Sequence, residues 1–337
     1  MTDLFRTLRG TALLLLMSSI GYAYGDPYNL PSCEEAESCF PCQPACWGQG
    51  FVSADLLYWR AFNSGLNTCI PISTSDIVTS NGSIFSKFSG KGRNPHFEWN
   101  PGFRISAGYE APSRNWDIVA SWAHFYSKAH ESENNENSRH WNLTFDAIDL
   151  VAGYDADLCS YFVLRPFGGL RAARIDQKMH TSHTSSVTSY SSTSYYSSSS
   201  YYSSTSGENL FHASNKQKFS GIGPLIGLEA VIDTCYGFSV YGSLAVSWLY
   251  GNFHALLKES NEFAEGFNSS KIRSHLDANL AATDAALGVR WQTCICKNMQ
   301  LILQLGLEHH RYFDYNRLGG YGDLSFDGAN FSAGIEF

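Results

Sequence analysis

Alternation of apolar and polar residues along extended segments is the feature that most constrains the fold of this chain. Between Met299 and Tyr315, one face collects the leucines at 301, 303, 305 and 307, whereas the other face is polar and includes Gln304, Glu308 and His310. A helix would mix these two sets, because its side chains repeat about every 3.6 residues. The segment is therefore predicted to be a β-strand with one apolar and one polar face.

The same period of two recurs along most of the chain. It predicts ten strands, at 51–62, 97–110, 116–128, 141–158, 161–176, 216–232, 238–253, 274–292, 299–315 and 325–337. Segments of this length suit a closed antiparallel transmembrane β-barrel, for which the pattern fits about eight to twelve strands. An even number of strands places both ends of the barrel on the periplasmic side.

The predicted connections alternate in length. Those near 112–115, 159–160, 235–237 and 293–298 are short, whereas 63–96, 129–140, 177–215, 254–273 and 316–324 are mostly long. Short periplasmic turns and longer external loops are expected of such barrels. Asn81-Gly82 predicts a small hairpin within the first external loop.

A low-complexity tract occupies residues 181–206, where Ser, Thr and Tyr fill 24 of 26 positions. Such a tract has little aliphatic surface to bury, so we predict an exposed, mobile loop whose tyrosines are free to contact a partner.

Composition narrows the class of protein. Only 16% of the residues are charged, whereas 15% are aromatic and 29 residues are glycine, which favours β structure with an apolar exterior. The net charge of −8 and the lack of a basic run argue against nucleic-acid binding. Alternation alone also fits a soluble β-sandwich, whose wet outer face would carry the polar residues.

Charged residues within the strands are predicted to face the barrel lumen. The candidates are Glu98, Arg104, Asp149, Arg165, Arg171, Glu229, Asp284, Arg290 and Glu308, with Asp55, Glu110 and Asp117 on the same face. They predict either a constriction that selects solutes or a plug of paired charges. Aromatic residues near strand ends, such as Trp59, Trp99, Trp141, Trp248 and Tyr312, are predicted to form the two interfacial girdles.

The two ends of the chain favour the membrane barrel over the sandwich. Arg6 and Arg9, the apolar run 12–17 and the small residues that follow predict a signal peptide at 1–25, with a buried N-terminal helix as the alternative. A Cys-rich periplasmic segment is expected at 26–50 and the barrel at 51–337. The final A-N-F-S-A-G-I-E-F, ending in Phe337, resembles the signal read by the barrel assembly machinery, so the bacterial outer membrane and its lipid are the predicted surroundings.

Several motifs also resemble a known family. A-D-L-L-Y-W-R-A at 54–61, N-P-G-F-R-I-S-A-G-Y at 100–109, L-R-P-F-G-G-L-R-A-A-R-I-D at 164–176 and L-G-V-R-W at 287–291 are similar to the cysteine-containing major outer membrane proteins of Legionella and chlamydia-like bacteria. The likeness covers about residues 48–337. It implies an abundant porin-like barrel tied into a disulfide-linked envelope, although the tract at 181–206 is not typical of the family.

Nine cysteines lie outside the middle of any predicted strand. Cys33, Cys39, Cys42 and Cys46 precede the barrel, Cys159, Cys235, Cys294 and Cys296 fall in short turns, and Cys69 lies in the first external loop. Successive turns are two strands apart, roughly 10 Å, which exceeds the reach of a disulfide. The turn cysteines are therefore expected to bond to the N-terminal segment, to another copy of this chain or to other Cys-rich envelope proteins.

Other chemistries find weaker support. Cys294-x-Cys296 and the cysteines at 39–46 have ligand-like spacing, but no suitably spaced histidine accompanies them, so no metal or other cofactor is predicted. His309, His310, Asp314 and Asp323 near the last external loop resemble the catalytic groups of barrel proteases, but no second pair completes a site, and no enzyme is predicted.

The sequence thus predicts porin-like passage of small hydrophilic solutes, combined with a structural role in the envelope. The alternative is a structural or adhesive surface barrel whose lumen is plugged.

Overall fold

The computed structural model describes residues 49–64, 73–78, 84–89, 97–111, 115–132, 137–159, 161–193, 201–263, 266–296, 299–316 and 322–337. The strands are β1 Gln49–Asn63, β2 Ser73–Val78, β3 Ile84–Ser89, β4 Trp99–Glu110, β5 Trp116–Ser132, β6 Asn137–Tyr154, β7 Ala156–Cys159, β8 Phe162–Thr193, β9 Tyr201–Asp233, β10 Phe238–Phe263, β11 Gly266–Cys296, β12 Met299–Asn316 and β13 Gly322–Glu336. Within these ranges, no helix is long and apolar enough to cross a membrane.

Ten of these strands close into an antiparallel barrel. Their order around the wall is β6-β5-β4-β1-β13-β12-β11-β10-β9-β8, and β8 pairs back to β6 to close the ring. The short β7 adds to the end of β8, and β2 pairs with β3 in a separate hairpin. Along the part of the wall where all ten ladders are present, closure leaves no free sheet edge, which is what a membrane-spanning sheet requires. The predicted fold class is confirmed, and the pairing of β2 with β3 agrees with the predicted hairpin in the first external loop, whose turn residues Asn81 and Gly82 lie outside the described residues.

The alternation read from the sequence sorts residues between lipid and lumen. On β10, Leu244, Trp248 and Tyr250 point outward with more than half of each side chain exposed, whereas Tyr241 and Leu249 are buried inside. The outward positions of the barrel form an apolar band, as expected of a wall that faces lipid.

Strand length differs from the prediction at one end of the barrel. The pairing of β8 with β9 continues as far as Thr193 opposite Tyr201, so 181–193 and 201–206 are strand rather than loop. The pairing of β10 with β11 likewise continues to Phe263 opposite Gly266. These segments lack apolar alternation, but each strand satisfies its partner's backbone N–H and C=O groups, and Thr and Tyr suit extended backbone.

At the opposite end the turns are short, as predicted. Between β9 and β10 a single 3-10 turn, Cys235–Gly237, reverses the chain, with Tyr236 and Gly237 both at positive φ. The Thr234 backbone N–H donates to the Phe238 carbonyl at 2.8 Å and fastens this turn. The short turns mark the periplasmic end, and the long hairpins mark the external end.

The predicted signal peptide at 1–25 and the segment 26–48 lie outside the described residues, as does Cys69.

Candidate functional site: the barrel lumen

Three layers of side chains occupy the lumen between the external and the periplasmic end. An apolar core fills the external half, a network of charges lies beneath it, and a second network lies near the periplasmic turns. Each layer is built by inward positions of several strands, so it follows from the register of the barrel.

The apolar core is formed by large side chains that meet from across the barrel. Trp59 of β1 and Phe326 of β13 pack against Phe125 and Phe145 of β5 and β6, with ring centroids 4.9 to 6.4 Å apart. Trp59, Phe125 and Phe326 are at most 1% exposed. Buried aromatic side chains therefore occupy the lumen at this height.

A second set of contacts braces the core nearer the external end. Tyr315 of β12 packs on Phe253 of β10 with a centroid distance of 5.7 Å, and its hydroxyl donates to the Ile175 carbonyl of β8 at 3.4 Å. The Asn63 amide of β1 donates to the Gln177 amide oxygen of β8 at 3.1 Å. This last bond joins nearly opposite walls, so the core spans the whole lumen.

The first half of the upper charge network centres on Arg104. Its Nη1 and Nη2 donate to the two carboxylate oxygens of Glu308 at 2.9 and 2.8 Å, and Nη1 also donates to Asp55 at 3.2 Å. The two-pronged geometry is the strongest form of arginine–carboxylate pairing. It ties β4 to β12, with β1 and β13 between them.

The second half of this network centres on Arg171. Its Nε and Nη2 donate to Asp149 at 2.7 Å each, and its Nη1 donates to Asp284 of β11. The Arg171 residue is 7% exposed. A cation buried this deeply needs such partners to offset the loss of water.

His310 joins the two halves. Its Nδ1 lies 2.6 Å from Asp284 and its Nε2 lies 3.3 Å from Glu308. Both ring nitrogens can donate only when the imidazole is protonated. The upper charge network therefore runs without a break from Asp55 through His310 to Asp149.

The lower charge network lies near the periplasmic turns. Arg165 contacts Asp117 at 2.5 Å, Glu229 at 3.3 Å and Asp155 at 3.8 Å, and Arg290 contacts Glu229 at 3.0 Å. Burial, opposed by Arg165, raises the pKa of Asp155 to about 6. Asp155 belongs to the turn between β6 and β7.

A cavity of about 580 Å³ occupies the periplasmic part of the lumen. Both charge networks line it, together with Tyr241 and Ser332, and Trp59, Phe145 and Tyr312 border it. Apolar side chains such as Val119, Val151 and Ile302 line the cavity as well, so charged and apolar surfaces meet in it.

Most of the predicted lumen charges occupy this site. Arg104, Arg165, Arg171, Arg290, Asp149, Glu229, Asp284 and Glu308 all belong to the two networks. Glu98 does not: it precedes β4, is exposed, and takes part in none of the ion pairs of the described side chains. The position lies outside the paired barrel wall, so period-two counting could not assign its side chain to the lumen.

The predicted aromatic girdles are partly wrong. Trp99 and Trp248 are exposed on the outer wall as expected, but Trp59, Trp141 and Tyr312 are at most 4% exposed inside the lumen. These three aromatic residues occupy inward positions, where they fill space instead of anchoring the barrel at the interface.

The candidate catalytic residues do not form one site. His310 lies in the lumen network, whereas His309 faces outward and pairs with Asp327. Asp323 pairs with Arg311 on the exposed rim and accepts a hydrogen bond from the Asp314 backbone. The described residues contain no group of His, Cys, Asp and Glu side chains that could hold a metal ion.

Two of the turn cysteines are visible in the structure. Cys159 and Cys294 are each disulfide-bonded. The side chains of Cys33, Cys39, Cys42, Cys46, Cys235 and Cys296 lie outside the described ones. Phe337 follows β13, and its backbone exchanges two hydrogen bonds of 2.8 Å with Gly50.

A closed ten-stranded barrel with an apolar outer wall defines an integral outer-membrane protein. The family comparison makes this assignment specific: a sequence model described as the Legionella pneumophila major outer membrane protein precursor matches residues 39–332. The chain belongs to this family, and it is located in the outer membrane.

Comparison with solved structures gives other outer-membrane barrels. Neisserial surface protein A is 11% identical, with 85% of this chain and 95% of that chain covered and a TM-score of 0.26. The Pseudomonas putida toluene transporter TodX is 7% identical, with 86% and 89% covered and a TM-score of 0.30. The transport unit of the Escherichia coli autotransporter AIDA-I is 9% identical, with 95% and 97% covered and a TM-score of 0.28. These scores carry no argument about function. No curated protein matches the chain.

Proposed function

We propose that this protein is a structural and surface-exposed barrel whose lumen is closed to hydrophilic solutes. The observation that carries the proposal is the apolar core, in which Trp59, Phe125 and Phe326 meet from opposite walls and are almost completely buried. An open porin needs a water-filled constriction, and ten strands already make a narrow barrel. Here the space that a solute would cross is filled by side chains.

Porin-like passage is the second candidate, and the cavity of about 580 Å³ favours it because both charge networks line it. Passage would require the core above that cavity to open. The two candidates therefore differ in one measurable property, the conductance of the folded barrel.

Planar-bilayer recording of the refolded full chain tests the proposal. We expect no unitary conductance steps from the wild type, whereas a W59A/F326A variant removes two rings from the seal and should admit ions. Trp248→Ala is the matched control, because Trp248 is 57% exposed on the outer wall and its loss leaves the lumen unchanged.

Ion channels in the wild type would overturn the closed-lumen proposal and favour the porin. Each core truncation is expected to cost about 3–5 kcal/mol, so heat-modifiable gel mobility must first show that the double variant is folded. If it is not, Phe326→Leu with liposome swelling provides a milder opening of the same seal.

The envelope role is proposed from the cysteines on the periplasmic rim. Cys159 and Cys294 are bonded within the chain, and we infer that the remaining turn cysteines and those at 33–46 link the barrel to its own N-terminal segment, to another copy or to other Cys-rich envelope proteins. Non-reducing gels of intact envelopes test this inference. Migration as a monomer without reductant would exclude the links between molecules.

Two further expectations belong with this proposal. Phe337 and its strand are proposed to engage the barrel assembly machinery. No enzymatic role is proposed, since the carboxylates and cations of the described lumen residues pair with one another. Hydrolysis of peptide or lipid substrates by the purified barrel, lost on His310→Ala, would contradict this view.

A further inference from the structure

Above its apolar band, the outer wall carries basic instead of apolar residues. At the height of Trp122 and Tyr250, the register places apolar residues such as Ile148 and Ile222 on neighbouring strands. Toward the external end of the same strands, the outward positions become basic. The wall formed by β5, β6, β8, β9, β10 and β11 carries most of these basic residues.

Strand register aligns these basic residues into two horizontal rows, which we call the basic belt. The lower row runs across the six strands as Lys128, Asn142, Lys178, Lys216, Leu256 and Arg273. The upper row is His130, His140, His180, Ser214, Lys258 and Lys271. Neither row contains a carboxylate, although the chain carries a net charge of −8. The concentration of cations on this wall is therefore local.

The cations of the belt differ from those on the opposite wall in having no carboxylate partner. On β12, His309 pairs with Asp327 and Arg311 pairs with Asp323. Among the described side chains, the lysines of the belt and Arg273 take part in no ion pair. The nearest outward carboxylates below the belt are Asp176, one row down, and Asp146 and Asp277, two rows down, and Asp146 is paired with His124. The belt thus presents unneutralised positive charge.

A depression of about 560 Å³ lies on the upper row of the belt. Its lining combines cationic and imidazole side chains with hydroxyls, namely His140, His180, His212, Lys258, Lys271, Ser138, Ser182, Ser214, Ser260, Ser269 and Ser270. Glu259 is its one carboxylate, and Thr181 and Ala213 complete it. Ammonium groups beside hydroxyl donors are well suited to phosphate oxygens.

The height of the belt identifies the layer that it faces. On β5, Lys128 lies six residues beyond Trp122, from 122 to 128. At about 3.4 Å per residue and a strand tilt of about 45°, this places Lys128 about 14 Å above the row of Trp122. By the same estimate, Arg174 lies about 5 Å and the upper row about 20 Å above the row of Trp122. An outward-facing residue at these heights meets the headgroups of the surrounding outer leaflet.

We propose that the basic belt binds the phosphate groups of the phosphorylated glycolipid in the outer leaflet. The belt is continuous with the lipid-facing wall and faces sideways, so its neighbour is the headgroup of an adjacent lipid. Six ammonium and guanidinium groups without a carboxylate partner among the described side chains provide the attraction, and the depression on the upper row holds the phosphate oxygens. The proposal does not depend on whether the lumen conducts.

The test compares binding of purified lipopolysaccharide with binding of the same lipid after removal of its phosphates. The refolded full chain is titrated in detergent with each fluorescently labelled lipid. We expect the wild type to bind the phosphorylated form at least about tenfold more tightly, with an affinity that falls as salt rises. K178Q/K216Q/K258Q/K271Q should lose this preference, whereas the matched K178R/K216R/K258R/K271R keeps it. Arg60→Gln, on the opposite wall, should bind as the wild type does.

Equal affinity of the wild type for the two lipids, or an unchanged preference in the glutamine variant, would overturn the proposal. So would binding of heparin through the same lysines without binding of the phosphorylated lipid, because that result assigns the belt to a soluble sulfated polysaccharide. Gel mobility of unheated samples checks folding. Should the fourfold variant not fold, Lys258→Gln and Lys271→Gln singly should each weaken binding about two- to threefold.

Discussion

At the scale of single residues, Arg104 holds together parts of the chain that are far apart in sequence. It contacts Glu308 and Asp55, whose side chains are 4% and 8% exposed. Removing the guanidinium would leave two carboxylates buried without a cation, and breaking a buried pair in this way is more costly than replacing both partners.

We therefore expect Arg104→Met to lower the free energy of unfolding by about 3–5 kcal/mol. The matched control is Arg311→Met, because Arg311 pairs with Asp323 on the exposed rim and should contribute less than about 1 kcal/mol. Urea unfolding in micelles, followed by tryptophan fluorescence, measures both variants. Equal losses of unfolding free energy would show that the lumen pair contributes no more to stability than the rim pair. Adding Glu308→Gln to Arg104→Met should recover part of the loss.

Asp155 provides a pH-dependent contribution at the periplasmic rim. Its folded pKa of about 6 lies above the ordinary value of 3.8, so the folded protein binds this proton more tightly than the unfolded chain. The stability that protonation provides is present below about pH 4 and is lost as the pH rises toward 6. Asp155→Asn removes this titration.

The difference in unfolding free energy between the wild type and D155N should therefore change by on the order of 1–2 kcal/mol between pH 4 and pH 7, allowing for partial exposure. The wild type is expected to be relatively more stable at the acid end. Parallel urea titrations at several pH values measure the difference, in which all other titrating groups cancel. A constant difference across this range would contradict the assignment.

At the scale of elements, the turn between β9 and β10 depends on Gly237. Its φ is +77°, and a Cβ at this position would lie 2.3 Å from the Gln292 carbonyl oxygen. Gly237→Ala is expected to cost at least about 1–2 kcal/mol, because both the left-handed backbone and the clash oppose it. Gly168→Ala is the control, since its nearest neighbour would be 3.7 Å away. Similar unfolding midpoints for the two variants would count against this explanation.

The sequence determined the elements well where one face of a strand is apolar and the other polar. Alternation located all ten barrel strands, since lipid and lumen impose opposite requirements on successive residues. It did not locate the external ends of β8 and β9, because Ser, Thr and Tyr on both faces give no alternation there. Backbone pairing alone extends those strands.

The lumen was predicted only in part, for a similar reason. Leu56, Leu57, Tyr58 and Trp59 are apolar on both faces, so counting by two does not show that Leu57 and Trp59 fill the interior. The sequence also could not predict which charged residues pair with one another. Arg104 and Glu308 are separated by 204 residues, and only the register of the closed barrel brings them together.

At the scale of the whole molecule, the barrel and its tall hairpins are separable. The apolar core and both charge networks lie in the paired wall, whereas β8 and β9 continue far beyond them. Replacing 184–210 with Asn-Gly would join His183 to Phe211, which are partners in the ladder, through a favoured two-residue turn.

The shortened protein is expected to refold with the same gel mobility and to unfold within about 1 kcal/mol of the wild type, because it keeps every layer of the lumen. Removing β10, Phe238–Phe263, instead would open the wall and should abolish folding. A shortened hairpin that fails to fold would show instead that the external ladder is needed for closure.

The cross-lumen packing has a consequence for how the exposed surface can change over time. A wall braced from inside is a rigid platform, and beyond Leu210, the last β9 residue paired with β10, the described strands of the β8–β9 hairpin pair only with each other. Sequence change at the hairpin tips therefore need not disturb the membrane-embedded part. A surface protein built in this way can renew the portion that meets antibodies, phages and host cells while its anchor stays constant.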